Sequence, residues 1–270
     1  MQFDLISDLH LDLWHHNIKD WRGLGTSLTC VVAGDVSKEL GLTTSFLSHL
    51  ADSYKQVIYI DGNHEHYKSY DDLDKNVILL EKNLSRYKNV TYLADSSIVI
   101  DGTAFIGTNG WWTFDFPELA GAANRIDVMS EYCAHDKRTM REAIQIWTQA
   151  QEQAEFLSDV VEKLQTNDDI GEIVIVTHTV PRQELAYRAS NGDMFAWGKI
   201  GNSSMINVLD NDVEGKISTW CFGHNHPYEV DQMLDGVRYV CHARGRPDDC
   251  PSGSYYPKLI DTHNDLMTNR

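Results

Sequence analysis

Apolar, β-branched residues gather in short runs: Phe3 to Ile6, Leu28 to Ala33, Val57 to Ile60, Ile173 to Val176 and Ile217 to Cys221. Each has the length of a buried strand, and none continues at helical spacing. Between the runs the period changes. A helix is expected around Leu40 to Tyr54, and another where Leu73, Val77, Leu80 and Leu84 recur. The longest should span about Arg138 to Leu164, with Met140, Ile144, Trp147, Ala150, Ala154, Leu157, Val161 and Leu164 on one stripe. Ser97 to Ile100 and Thr103 to Ile106 flank Asp101-Gly102, a type I′ hairpin signal. The late runs Ile217 to Cys221, Tyr228 to Gln232 and Val237 to Cys241, joined by turns such as Asp235-Gly236, read as an antiparallel meander. Strands alternating with helices predict an α/β architecture.

One stretch breaks the alternation. Trp111, Trp112, Phe114, Phe116 and Pro117 precede Gly121-Ala122-Ala123-Asn124, so residues 108–135 read as an aromatic loop. Such a loop is either a lid that stacks a substrate, through Trp111 and Trp112, or a cover for one end of the core. Without a repeat, low-complexity tract or Pro/Gly/Ser linker, residues 1–270 are expected to form a single domain carrying this insertion.

The residues that follow the strand-like runs carry the chemistry. They are Asp8-Leu9-His10, Gly34-Asp35, Gly62-Asn63-His64-Glu65, Thr177-His178 and Gly223-His224-Asn225-His226. Asp, His and Asn delivered to one sheet edge suit two divalent transition-metal ions, of the Mn, Fe, Zn or Ni type with Mn favoured. Two ions ~3.5–4 Å apart clamp both oxygens of an in-line displacement at phosphorus. Asp35 is the natural bridge, in the sharp turn that Gly34 permits. Asn63 offers a neutral amide oxygen, and His178, His224 and His226 complete the set.

A formal charge of −17 supplies no basic stripe for phosphates and argues against general nucleic-acid binding. The five cysteines show no CxxC spacing, and Cys30, Cys221 and Cys241 lie in apolar runs as core residues of a reducing compartment. With neither a basic-then-apolar leader nor a membrane-length apolar run, a cytoplasmic protein off the membrane is expected. Nothing in the sequence sets the oligomeric state.

The order DxH, GD, GNHE, H, GHxH, from Asp8 to His226, resembles the calcineurin-like metallophosphoesterases. The resemblance implies a four-layer αββα sandwich, two mixed β-sheets face to face with helices outside. It implies one ion on Asp8, His10, Asp35 and His226, and a second on Asp35, Asn63, His178 and His224. A metal-bridging hydroxide would attack phosphorus in line, and His64 would protonate the leaving oxygen. Arg244, in a stretch resembling the Asn-Ala-Arg-Gly-Tyr of bacterial and phage relatives, and Arg182, four residues after His178, are substrate-binding candidates. His242 and Arg246 depart from that stretch and are assigned no role. Lys38 and Glu39 stand where the protein-phosphatase branch has Asp and Arg, which argues against that branch. The short tail after His226 and the charge argue against a DNA nuclease. A small phosphoester remains, with a slight preference for a nucleotide or cyclic nucleotide. The alternatives are a phosphomonoesterase or protein phosphatase, and a non-catalytic metal-binding scaffold of this fold. His15, His16, His49, His66, His135 and His263 are read as structural, Asp12 as a solvated acid, and Glu65 as a capping or pairing group.

Overall fold

The computed structural model describes residues 1–14, 25–69, 72–121, 123–186, 194–226, 229–249 and 254–263. His15, His16, Ala122, Tyr228 and Cys250 lie outside them. In one sheet β1 (Gln2–Ile6), β2 (Thr29–Ala33), β3 (Gln56–Ile60) and β4 (Val90–Tyr92) run parallel. β11 (Lys258–Asp261) closes the β1 edge antiparallel, giving the order β11-β1-β2-β3-β4. In the other sheet β5 (Ser96–Ile100), β6 (Thr103–Gly107), β7 (Glu172–Val176), β8 (Ile217–Phe222), β9 (Val230–Leu234) and β10 (Val237–Cys241) take the order β5-β6-β7-β8-β10-β9.

The period of two explains the layers. Phe3, Leu5, Val31, Ala33, Ile58 and Ile60 point from the first sheet onto Phe105, Val174, Val176, Cys221 and Val240 of the second. The alternate residues Ile6, Cys30, Val32, Val57 and Tyr59 face Phe46, Leu47 and Leu50 of α1 (Leu40–Ala51) and Leu80 and Leu84 of α2 (Leu73–Leu84). On the far side Ile106, Ile173, Ile175, Trp220 and Tyr239 meet Ala154, Leu157 and Val161 of α5 (Met140–Gln165). Helices therefore flank two mixed sheets, as expected. Truncating one of these buried Val, Leu or Ile side chains to Ala costs about 2–5 kcal/mol. Among the described residues no helix is long and apolar enough to cross a membrane.

Three expectations need correction. The late strands are not a meander: β8 pairs parallel with β10, and β9 lies at the edge, antiparallel to β10. The β9–β10 turn does use Asp235 and Gly236 at φ 50° and 84°, as Asp101 and Gly102 at 49° and 79° do in β5–β6. Residues 108–135 are not all loop, since α3 (Phe116–Leu119) and α4 (Arg125–His135) form within them. The Asn124 carboxamide caps α4 by accepting from the Asp127 N–H, and Thr139 with Glu142 makes a reciprocal capping box that starts α5. Finally, the first turns of α5 bury Ala143, Ile146 and Ala150, leaving Met140 and Ile144 39 % and 49 % exposed. The small Ala143 and Ala150 admit Trp111, Trp112, Phe114 and Tyr132, which pack there as a separate cluster.

Candidate metal centre

The strand ends β1, β2, β3, β7 and β8 converge at one edge because their loops are stitched together. The Asp8 N–H donates to the Gly34 carbonyl at 3.0 Å, His10 N–H to Asp35 at 3.1 Å, and Gly223 N–H to His178 at 2.9 Å. The motif glycines are close-approach positions. A Cβ on Gly34, which sits at φ 83°, would lie 2.6 Å from His178 Nδ1, and one on Gly223 would lie 2.5 Å from Asp8 Oδ2.

Asp8, His10, Asp35 and His224 all hold left-handed backbone, at φ 51°, 44°, 53° and 65°. Outside glycine this costs about 1–2 kcal/mol per residue and marks a site over-determined by its surroundings. Much of that determination comes from Glu65. Its buried carboxylate accepts from the backbone N–H groups of Gly62 (2.8 Å), Asp35 (3.1 Å), Val36 (2.8 Å) and Ser37 (3.2 Å), clasping the β2 and β3 loops together. Burial first, and then the Asp35 carboxylate, push Glu65 up to about 8 against the pull of those donors. Asp12 is not a solvated acid. It accepts from Ser37 Oγ at 3.0 Å and the Lys38 N–H at 3.2 Å, bracing the same loop.

The remaining polar atoms point inward. Asp35 Oδ2 is 3.3 Å from His178 Nε2 and 3.9 Å from both His10 Nε2 and His64 Nε2. Asn63 Oδ1 is 3.1 Å from His178 Nε2, and His10 Nε2 is 3.2 Å from His226 Nε2. Outer contacts fix which ring nitrogen stays available. His178 Nδ1 donates to the Ala33 carbonyl (2.9 Å), His226 Nδ1 meets Asp249 Oδ2 (2.6 Å), and His224 Nε2 donates to the Lys199 carbonyl (3.0 Å). That leaves His226 Nε2 and His224 Nδ1 with a lone pair, the arrangement that orients metal-binding imidazoles, while His178 Nε2 faces the Asp35 and Asn63 oxygens and would ligate on giving up its proton. Asp8 accepts the His224 N–H on both oxygens, at 3.0 and 2.9 Å.

Burial would raise the Asp35 carboxyl, but His178, His64 and His10 outweigh it and hold it well below the usual range. Burial would lower His178, but Asp35 and Asp8 push it up to about 10. Burial depresses His10 and His224 well below ordinary histidine despite Asp35, keeping them in the neutral form that ligates. Potential ligand atoms thus fall into Asp8–His10–His226 and Asp35–His178–His224, with His10–Asp35–His64 between them. Mixed carboxylate and imidazole donors on both sides of one shared aspartate suit two adjacent divalent ions.

The comparisons with known proteins bear on this arrangement. No protein-family model and no curated protein matches the sequence. Solved structures do. The phosphopantetheinyl hydrolase PptH of Mycobacterium tuberculosis superposes with a TM-score of 0.72 at 18% identity, over 96% of this chain and 95% of its own. A dimetal phosphatase from Danio rerio gives 0.53 at 14% identity, over 96% of this chain and 91% of its own. The chain has the calcineurin-like metallophosphoesterase fold.

Within that fold a cavity of about 680 Å³ opens over Asp35, Asn63, His64, His224 and His226. Its other walls come from Tyr67, Trp112, residues 135–138, Ala196, Lys199, Ile200, Arg246 and Asp249. Several substrate-contact candidates lie elsewhere. Arg182 is ion-paired to Asp235 (2.6 Å) and Glu184 (3.0 Å), and Arg244 stacks over Trp14 at 3.8 Å. Trp111 is buried against a smaller neighbouring cavity. Trp112 reaches the wall but is 2% exposed, lying flat against the His224 ring at 5.7 Å. The aromatic stretch is pinned inside by Gln153, which accepts from the Gly110 and Trp111 N–H groups, and by Asn202, which donates to the Trp111 carbonyl. Its rings are core, and the residues just beyond α4 are wall. Sequence reasoning missed Arg246, which it set aside, and His135, which it read as structural. His66 is a buried core histidine, its Nε2 bound to Asp61 at 2.6 Å and its Nδ1 without a hydrogen-bond partner among the described residues.

Proposed function

We propose that this chain is a dinuclear-metal-dependent hydrolase of a small phosphoester. One observation carries the reading: Asp8, His10 and His226 form one group of potential ligand atoms and Asp35, His178 and His224 an adjoining one, with Asn63 Oδ1 3.1 Å from His178 Nε2 and outer hydrogen bonds orienting His178, His224 and His226. Asp8, His10, Asp35 and His226 would hold one ion, and Asp35, Asn63, His178 and His224 the other. Bound there, such a pair supplies positive charge for the phosphoryl oxygens and acidifies coordinated water towards neutrality. Mn is favoured among Mn, Fe, Zn and Ni.

His64 stands beside this set. Its backbone N–H donates to Asp35 Oδ1 at 2.8 Å, which fixes the ring at the cavity wall. Burial lowers its basicity and Asp35 opposes that, and from this position the protonated imidazole would give its proton to the leaving oxygen. The fold shared with a phosphopantetheinyl hydrolase and a dimetal phosphatase supports hydrolysis at phosphorus. A nucleotide or cyclic nucleotide is the favoured substrate, with Tyr67, 53% exposed on the cavity wall, offering the stacking surface in place of the buried tryptophans. We propose residence in the cytoplasm, consistent with the reduced Cys30, Cys133, Cys221 and Cys241.

The test is a screen of an aryl phosphate, an aryl phosphodiester, cyclic nucleotides and a 4′-phosphopantetheinyl ester, with Mn²⁺ supplied and with metal stripped. Metal-dependent turnover of one class is expected. Equal rates with and without metal would remove the reading. Absence of both bound transition metal and hydrolysis would favour a scaffold.

A further inference from the structure

We infer that the outer half of the cavity is a second anion subsite, so that the ester cleaved here carries a further phosphate-like group on its leaving side. The inference rests on the phosphoester reading of the same site. The chain has 40 acidic against 23 basic residues, so a patch drawn at random would be acidic. Beyond the candidate ligands, this wall instead presents Lys137, Arg138, Lys199 and Arg246 against Asp136 and Asp249.

Three of the cationic residues are placed beside site imidazoles, Arg246 and Lys199 by backbone contacts and Arg138 through Tyr67. Asp249 Oδ2 accepts from the Arg246 N–H at 2.9 Å and meets His226 Nδ1 at 2.6 Å. Arg138 donates to the Tyr67 carbonyl at 3.1 Å, and the Tyr67 ring stacks on His64 at 6.1 Å. Lys199 accepts the His224 ring through its carbonyl and pairs with Asp136 at 3.2 Å. Lys137 and Arg246 are exposed and make no carboxylate pair among the described residues. Lys137 also holds φ 54° just past the end of α4, a position glycine fills at less cost. That φ closes the end of α4, where the Arg138 N–H donates to the Cys133 carbonyl at 2.9 Å, and the same turn sets the lysine side chain at the cavity mouth, facing solvent. Arg138 and Tyr67 lie on the His64 side, hence next to the leaving oxygen. The volume, about 680 Å³, suits a whole small molecule and exceeds what one phosphate fills.

The test compares 4-nitrophenyl phosphate with a phenyl phosphate bearing a ring phosphonate, on the metal-loaded wild type and the Lys137→Ala/Arg246→Ala double variant. The loss in kcat/KM on the phosphonate-bearing ester should exceed that on the nitrophenyl ester by about tenfold. Equal losses on both esters, or none on either, would overturn the inference. A second readout needs no turnover: benzene-1,4-bisphosphonate should bind the wild type more tightly than phenylphosphonate, and the double variant should lose that preference. A preference that survives the substitutions sinks the subsite. A preference that is lost on substitution, in a protein that hydrolyses nothing, leaves the subsite standing and removes the phosphoesterase reading alone.

Discussion

The floor and the rim of the cavity are built by opposite means. On the floor Asp8, His10 and His178 are fully buried and Asp35 is 1% exposed, and most of the polar atoms are fixed by a backbone or side-chain partner. Positive-φ backbone is concentrated there, at Asp8, His10, Asp35 and His224. The rim is solvated: Lys137 and Arg246 are exposed, and Lys137 alone of the rim cations is strained. A reacting centre gains from groups that need no reorganisation. A binding rim keeps side-chain entropy until a ligand arrives. If the floor holds the metals and the rim the second anion, as proposed, chemistry and selectivity are separable, and substitutions should separate them.

The largest effects belong to the floor. Asp35→Ala and His224→Ala should each lose bound metal and, with it, activity by a thousandfold or more, on the order expected when an activating ion is lost. Metal content by elemental analysis, read beside turnover, checks this. His64→Ala should behave differently, keeping both metals and losing turnover by roughly 10²–10⁴. If His64→Ala lost metal as well, His64 would be a ligand and the division of roles would be wrong. Chelation of the wild type should lower Tm, because ions that bind only the folded chain stabilise it.

Glu65→Gln tests whether the floor is held by its clasp. The amide keeps one acceptor oxygen and turns an NH2 towards N–H donors that now meet a carboxylate. Destabilisation of about 2–4 kcal/mol is expected, together with weaker metal retention. An unchanged denaturation midpoint would mean the clasp is replaceable.

The same contrast explains what the sequence disclosed. Floor residues sit in short turns directly after strands, so residue type, spacing and strand signal coincide within a few positions. Asp8, Asp35, Asn63, His178 and His224 were legible for that reason, as were the two sheets whose β-branched runs precede them. The rim comes from the α4–α5 turn, the segment after α6 (Met194–Gly198) and the loop after β10, brought together only by tertiary packing. Arg246 carries no local mark of its place. α4 was missed although Asn124 is a capping signal, because its mostly polar face hides the helical period. The parallel β8–β10 pair was illegible because alternation along a strand is the same whichever way its neighbour runs.

The smallest effect sharpens the comparison most. Glycine at position 137 relieves the left-handed strain of Lys137, while its greater freedom in the unfolded chain offsets part of that gain. Lys137→Gly should therefore stabilise the fold by about 0.5 kcal/mol, seen as a small rise in Tm. At the same time it should narrow the preference for the ester with the second anion. A rise in Tm together with a narrower preference would show that the lysine side chain serves binding and is not needed to hold the turn. A fall in Tm would mean instead that the lysine side chain holds the α4–α5 turn, and the rim would then be a structural element like the floor.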